Sequence, residues 1–300
     1  MQCLVEIARQ EYALMGHYID RLSEVSANAA KLDAREVGCQ GIELWTTLAE
    51  VEYARLVKQG QILNIIFSKR EFLVPLLLEC IGRVEVEDAE DAEEEWGVNL
   101  ASGCCLTKIS LILQNEVVGP VVNYVKAYVQ STDWTKRYSA LMALGAISEG
   151  PEKLVYAAVL NPSMNSLLAM FRDESVKVRE AIAWVTSQIC THHADVMTTT
   201  PEQTAMFVDI LVAALQDKVK VSVYLCQAIE KLAESLAPLS DDQQENQLTP
   251  HFEKIAQGLF TNSTRVAEDE TGSIGIVQAS YAALTTLCQH SCSSSDQSLQ

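Results

Sequence analysis

A pattern that recurs along the chain is the feature of this sequence that most constrains its fold. Each copy has an aspartate in a turn, a basic residue within a few positions, and then a helix-like stretch rich in small residues. The copies are KLDAREVGCQGIELWTTLAE (31–50), STDWTKRYSALMALGAISEG (131–150), FRDESVKVREAIAWVTSQIC (171–190) and LQDKVKVSVYLCQAIEKLAES (215–235). Their turn aspartates are Asp33, Asp133, Asp173 and Asp217, the last three spaced 40 and 44 residues apart. Each aspartate is predicted to cap the helix that follows it.

A repeat of about 40 residues with two helices per unit is typical of HEAT or armadillo arrays. Apolar stripes at helical spacing run through Ala181, Val185 and Ile189, and through Phe207, Ile210, Leu211, Ala214 and Leu215. Neither helix can bury its stripe alone, so the units must stack. Helix pairs are predicted over residues 17–57, 62–113, 116–150, 152–194, 205–237 and 249–291, after a half-unit at 1–13. The sequence therefore predicts an all-α fold, a HEAT-repeat α-solenoid formed by a superhelical stack of antiparallel helix pairs.

The prediction for domain organisation is one continuous array over residues 1–291, of about six repeats, with a low-complexity tail at 292–300. Residues 84–96 are predicted to form an acidic loop inside one repeat. Eight carboxylates lie within residues 85–95, and the run stops at Trp96. A solvated loop is the simple interpretation, and a binding site for a very basic partner is the alternative.

The net charge of −18 favours basic partners over nucleic acid or anionic membranes. Ten of the eighteen net negative charges remain when the acids of 85–95 are left out, so the whole body is acidic. No apolar run is long enough to predict a membrane span, and the first residues do not resemble a secretory signal. The charge alone is equally consistent with solubility.

The second helix of each unit is predicted to line a concave face. Trp184 and Tyr224 lie in such helices, Trp96 starts another, and Glu43 and Glu50 lie two turns apart on one face. An acidic groove with indoles suits a Lys/Arg-rich helix, because carboxylates pair with the charged groups and aromatic faces hold the aliphatic stems. Trp184 is equally compatible with the core. Trp45, flanked by apolar residues, is predicted to be packed.

Nothing in the sequence predicts an enzyme, a cofactor or a metal site. The sequence has no glycine-rich phosphate loop, no GxSxG and no HExxH motif. The nine cysteines include no CxxC pair at zinc spacing. Eight of them lie in helix-like apolar stretches, which predicts small core residues in a reducing compartment.

Five segments, in the same order and with similar gaps, resemble the importin-β family of nuclear import receptors. They are EVGCQGIELWTTLAEVE (36–52), DAEEEWGVNLASGCCL (91–106), DWTKRYSALMALGAISEGP (133–151), DESVKVREAIAWVTSQIC (173–190) and CQAIEKLAES (226–235). The acidic run that ends in a tryptophan is the most diagnostic. The resemblance implies a central piece of a longer solenoid, truncated at both ends.

The resemblance also implies partners and site residues. Trp96 and Trp184 match tryptophans that clasp the basic amino-terminal helix of an importin-α-type adaptor, and Glu43 and Glu50 match acids that contact basic partners. The acidic loop, which would meet the Ran GTPase or another basic partner, contains Glu90, Asp91, Glu93, Glu94 and Glu95. Release by Ran-GTP, binding to FG nucleoporins, and a location in cytoplasm, nucleus and nuclear pore follow from the same resemblance.

Two departures from the family pattern stand out. Gln227 occupies the position of a family tryptophan, and Tyr224, one turn away, is expected to replace it in part. The stretch 17–31 is more polar than in the family, which weakens the case for FG binding there. The alternative function is a HEAT scaffold of another kind, such as a phosphatase regulatory subunit or an assembly platform.

Overall fold

The computed structural model describes residues 2–84, 96–236, 247–265, 267 and 270–291. Most of the predicted acidic loop and the predicted tail at 292–300 lie outside these residues, whereas Trp96 lies within them. The chain divides into two compact units, Met1–Tyr156 and Ala157–Gln300. Every regular element in the described residues is helical. The single continuous array over 1–291 stays a prediction.

The described residues of the first unit contain eight α-helices and the start of a ninth. They are α1 (Gln2–Gln10), α2 (Tyr12–Leu32), α3 (Arg35–Val57), α4 (Ile65–Ser68), α5 (Arg70–Ile81), α6 (Val98–Leu113), α7 (Val118–Tyr128), α8 (Trp134–Ala146) and α9 (Lys153–Ala169). Second helices α1, α3, α6 and α8 pack in succession, and first helices α2, α5 and α7 do the same. Two helical layers enclose the core, as the solenoid prediction requires.

The second unit repeats this arrangement, with five further helices in the part that the structure describes. They are α10 (Val176–Met197), α11 (Pro201–Ala214), α12 (Val219–Ser235), α13 (Phe252–Ser263) and α14 (Glu270–Ser291). Helices α10, α12 and α14 pack in succession, and α11 packs on α13. The predicted stripe of Ala181, Val185 and Ile189 is buried, which is why α10 holds its neighbours. In the stripe predicted for α11, Phe207, Leu211 and Leu215 are buried, whereas Ile210 and Ala214 are half-buried.

Of the four turn aspartates predicted to cap a helix, Asp133 alone does so among the described residues. The side chain of Asp133 accepts a hydrogen bond from the Thr135 amide at 3.0 Å and caps α8. The prediction of a cap at Asp33 is wrong. Asp33 ends α2, and the two-residue connection leaves Ala34, whose side chain has no acceptor, as the residue before α3.

Asp173 and Asp217 accept hydrogen bonds from the Ser175 and Lys218 amides at 2.9 and 2.7 Å, inside their turns. The residues that precede α10 and α12 are Ser175 and Lys218, which make no side-chain cap hydrogen bond, so the predictions at Asp173 and Asp217 are wrong.

The basic residue of the pattern links one helix pair to the next. Arg179 on α10 donates from Nη1 to the Asp173 carbonyl at 2.8 Å, inside its own turn. It also donates two hydrogen bonds to the Asp217 carboxylate, from Nε to Oδ2 at 2.5 Å and from Nη2 to Oδ1 at 3.1 Å. The pair is only 18% exposed on each side, and the turn before α12 is thereby fixed to α10.

Glu52, near the end of α3, is fully buried and joins three segments of the first unit. Its Oε1 accepts hydrogen bonds from the Tyr12 hydroxyl at 2.5 Å and the Ile65 amide at 2.6 Å. Its Oε2 accepts a bond from the Ile66 amide at 3.1 Å. The carboxylate therefore ties α2 and the start of α4 to α3, and a buried charge of this kind is tolerated because donors surround it.

The cysteine prediction is only partly correct. Cys80, Cys105, Cys190 and Cys226 are buried, and Cys39 is intermediate. Cys3, Cys104 and Cys288 are exposed, because they lie on helix faces that no neighbouring helix covers. The prediction of a core position is therefore wrong for these three.

Two helical stretches, Val98–Tyr128 and Lys153–Arg172, are long and apolar enough to cross a membrane by length and composition alone. Core helices of soluble proteins pass the same test. In the first stretch 44% of the window is buried inside the protein, and in the second 33%.

Candidate partner-binding site

Helix α3 places two carboxylates on the face that it shares with the other second helices. Glu43 and Glu50 are seven residues apart, which is two helical turns, and Glu43 is half-buried whereas Glu50 is exposed. Trp45, on the same helix, belongs to the core. It is completely buried, donates from Nε1 to the Ser26 hydroxyl at 2.8 Å, and packs against Phe72. The prediction that Trp45 is a packed residue is confirmed.

Trp96 lies immediately before α6, and 58% of its surface is exposed. It shares a groove of about 470 Å³ with Glu43, and helix α1 contributes Glu6 and Arg9 to the same lining. An indole, two carboxylates and one guanidinium therefore meet in one concave place. Trp96 and Glu43 are two of the five residues predicted to bind a basic helix, and the structure brings them to a common groove.

The electrostatics of this groove act on Glu43. Burial raises the pKa of Glu43, the neighbouring carboxylate of Glu50 raises it further, and Arg9 opposes the rise. Arg9 is shared, since its Nη1 also lies 3.6 Å from Glu6 Oε2. A cation that entered the groove would stabilise the ionised form of Glu43 and so gain binding free energy.

Two further features complete the face. The Oε1 atom of Gln40, one turn before Glu43, is buried and has no hydrogen-bond donor within the described residues. Glu50 Oε1 lies 3.8 Å from Lys108 Nζ on the neighbouring helix α6. The face thus contains a buried acceptor, Gln40 Oε1, and a cation of the protein itself, Lys108, beside Glu50.

The second unit presents aromatic residues on its own second helices. Trp184 on α10 is half-buried although its neighbours Ala181 and Val185 are buried, so part of the indole is exposed. Tyr224 on α12 is also half-buried, and Gln227 beside it is exposed. Helices α10 and α12 pack together, which places both aromatic residues on adjacent second helices.

The predicted loop acids Glu90, Asp91, Glu93, Glu94 and Glu95 lie outside the described residues. Sequence reasoning missed the contributions of Glu6, Arg9, Gln40 and Lys108. The acids of α3 were visible because seven residues make two helical turns. Their neighbours on α1 and α6 carry no comparable signal, since inter-helix register decides which residues face α3.

Comparisons with known proteins extend this description. A family model described as "Importin subunit beta-1-like, TPR repeats" matches residues 206–300. Importin subunit beta-1 of Arabidopsis thaliana is 28% identical over 297 residues, which are 94% of this chain and 33% of that protein. Importin subunit beta-1 of Saccharomyces cerevisiae is 26% identical over 297 residues, with shares of 96% and 33%. The chain spans about a third of the length of the curated relatives that it matches.

Solved structures agree with these matches. Yeast importin-β (Kap95p) is 25% identical, with a TM-score of 0.87 over 99% of this chain and 34% of that chain. Structures of Kap95p with RanGDP and with Nup1, both 24% identical, share the fold at TM-scores of 0.86 and 0.85. The predicted all-α HEAT-repeat solenoid is confirmed. Importin-β homologues match most of the chain, so the predicted resemblance to that family is confirmed as well.

Proposed function

We propose that this chain is part of a nuclear import receptor that captures a basic segment on its second-helix face. The segment would be the Lys/Arg-rich amino-terminal helix of an importin-α-type adaptor, or a basic cargo of the same chemistry. The observation that carries the proposal is the groove shared by Trp96 and Glu43. A surface indole beside carboxylates is the arrangement that holds both the aliphatic stem and the charge of a lysine or arginine.

The second unit supports the same function through separate residues. Trp184 and Tyr224 keep part of their rings exposed on adjacent helices. The second unit thus offers a basic segment an aromatic surface of its own. Each contact is modest, and the affinity within the unit would come from both rings together.

We propose two further partners on the strength of the homologous structures. Kap95p has been solved with RanGDP and with Nup1. A Ran-type GTPase would bind the acidic loop and release the basic segment, and the receptor would move between cytoplasm and nucleus through the pore. The acids of that loop lie outside the described residues, so this part rests on the sequence and on the relatives.

An exposed apolar patch on the first-helix layer supports a phenylalanine-rich nucleoporin partner. Leu14 and Tyr18, one turn apart on α2, are 48% and 60% exposed. Leu63 and Phe67 are 44% and 36% exposed, and the Leu63 side chain lies over Gly16 between the first two. Large apolar side chains gathered in this way mark interaction surfaces. The polarity of the stretch 17–31 weakened the case for FG binding there, but Tyr18 and its neighbours supply apolar surface for such a partner.

The proposal is tested by titrating the 300-residue chain with a fluorescent Lys/Arg-rich peptide taken from an importin-α amino-terminal helix. Wild type and Glu43→Gln are compared at low and at physiological salt. We expect Kd to rise steeply with salt in the wild type, because exposed charges at the face are screened. We expect a smaller salt dependence in Glu43→Gln, since one of the attracting charges is gone.

A matched control is Glu253→Gln, which removes one carboxylate from α13 in the second unit and leaves the groove unchanged. Equal salt dependence in the two variants would show that bulk charge, and not the groove, attracts the peptide. No binding by the wild type at low salt would favour the alternative of a HEAT scaffold with another partner.

A further inference from the structure

Lys108 faces Glu50 of α3 from the neighbouring second helix α6. Its Nζ lies 3.8 Å from Glu50 Oε1, and the two side chains are 47% and 50% exposed. An ion pair this exposed contributes little to fold stability, because water and salt screen it and both long side chains must be ordered. Its position on a face proposed to attract cations therefore calls for another explanation.

Cys104 provides a thiol close to Lys108 on the same helix. Cys104 lies one turn before Lys108 on α6 and is exposed. Burial raises the pKa of the Cys104 thiol, Lys108 opposes that rise, and Glu43 adds to it. The thiol is thus within electrostatic reach of both Lys108 and Glu43. The ion pair itself is with Glu50, and the nearby thiol of Cys104 reports the potential that Lys108 and Glu43 set around it.

We propose that Lys108 is a built-in competitor for cationic ligands, and that it sets how basic a partner must be to bind the α3 face. A partner lysine or arginine can pair with Glu50 only after the Lys108 ammonium moves aside. A partner with few positive charges cannot replace it, whereas a densely basic segment can, because each added cation raises the gain on binding. Lys108 would then determine specificity without contacting the partner strongly. This inference rests on the proposed function.

The first test compares wild type, Lys108→Met and Lys126→Met in the peptide titration. Methionine keeps most of the length of the side chain and removes its charge. Lys126 is exposed on α7, in the first-helix layer, so the control changes the net charge by the same amount away from the α3 face. We expect Lys108→Met to bind the peptide roughly two- to fivefold more tightly than both other proteins.

The affinity of a peptide with half as many basic residues should increase by a larger factor in Lys108→Met. Equal affinities for Lys108→Met and Lys126→Met would overturn the proposal. Weaker binding by Lys108→Met would also overturn it, because Lys108 would then hold Glu50 in its binding position.

A second measurement does not depend on the peptide. Cys104 is treated with a cationic reagent, trimethylammonioethyl methanethiosulfonate, and with the neutral methyl methanethiosulfonate, and its modification is followed by peptide mass spectrometry. The ratio of the two rates reports the local potential, since changes in thiol ionisation affect both rates alike. We expect the ratio to rise roughly two- to fivefold in Lys108→Met and to stay unchanged in Lys126→Met.

The two measurements separate the failure of this inference from the failure of the proposed function. If no variant binds the peptide but the rate ratio rises in Lys108→Met, the proposed function is wrong and the masking of the acids by Lys108 is right. If the rate ratio is the same in Lys108→Met and in wild type, Lys108 does not mask the acids, whatever the result of the peptide titration.

Discussion

Replacing Trp96 by alanine is the sharpest test of the groove. The indole stands at the start of α6 with 58% of its surface exposed, so its removal deletes a surface and not a core residue. Gly97, the residue that precedes α6, has an extended backbone, a conformation that any residue adopts. We therefore expect Trp96→Ala to fold with nearly unchanged stability, since surface substitutions of this kind usually change it by less than about 0.5 kcal/mol.

The expected loss of affinity can be worked out from the exposed fraction. A tryptophan side chain has roughly 250 Å² of surface, so an exposed fraction of 58% leaves about 145 Å² for a partner. A helix that lies on one face of the ring covers about half of this, which is worth ~2 kcal/mol at ~25 cal/mol per Å². A cation over the ring adds about 0.5–2 kcal/mol. Because ordering the partner costs part of this gain, we expect a net loss of about 2–3 kcal/mol, or roughly 30- to 150-fold in Kd.

The assay is fluorescence anisotropy of the labelled basic peptide, with circular dichroism melting of each variant to confirm its fold. Phe260→Ala is the matched control, because Phe260 is an aromatic residue of the second unit with the same exposed fraction of 58%. A loss of less than about threefold for Trp96→Ala, or a loss no larger than that of Phe260→Ala, would refute the reasoning. The exposed indole would then be an ordinary surface residue.

Two further predictions concern carboxylates of α3. In Glu52→Ala the Tyr12 hydroxyl and two amides at the start of α4 lose their buried acceptor, so we expect the free energy of unfolding to fall by about 3–5 kcal/mol. Urea denaturation measures this loss, Glu52→Gln should lose less, and a loss below about 1 kcal/mol would contradict it. Glu43 has a raised pKa because of burial and then Glu50, against Arg9, so it takes up a proton at a higher pH than an ordinary glutamate. Its contribution to peptide binding should therefore fade on acidification before that of an ordinary glutamate, and a pH titration of Kd should show a flatter curve for Glu43→Gln.

Local periodicity made most of the fold predictable. The stripe of Ala181, Val185 and Ile189 is set by helical geometry within one segment, and it is buried as expected. The helix pair predicted over residues 62–113, on either side of the acidic loop at 84–96, corresponds to α5 and α6. These features depend on residues a few positions apart, and such distances are fixed once the chain is helical.

Features that depend on distant neighbours were not predictable in the same way. Glu52 differs from the exposed Glu50 by only two residues, yet it is buried because Tyr12 and the start of α4 supply donors from other segments. The pair of Glu50 and Lys108 joins two helices across 58 positions of sequence. The exposure of Cys104 beside the buried Cys105 likewise depends on which face α3 covers. The register between neighbouring helices decides each case, and that register cannot be read from residue spacing within one segment.

The charge of the α3 face is therefore not the charge that the composition suggests. Net charge is −18, but within the described residues of the first unit Arg9 lies near Glu43, and Lys108 near Glu50. With Glu6 in the groove, three acids lie against two cations, so the local field is weaker than the composition suggests. Retention of a bound partner must then come chiefly from the exposed surface of Trp96. A basic partner would thus be attracted by the overall charge and retained by the indole, which is why Trp96→Ala is expected to affect dissociation more than association.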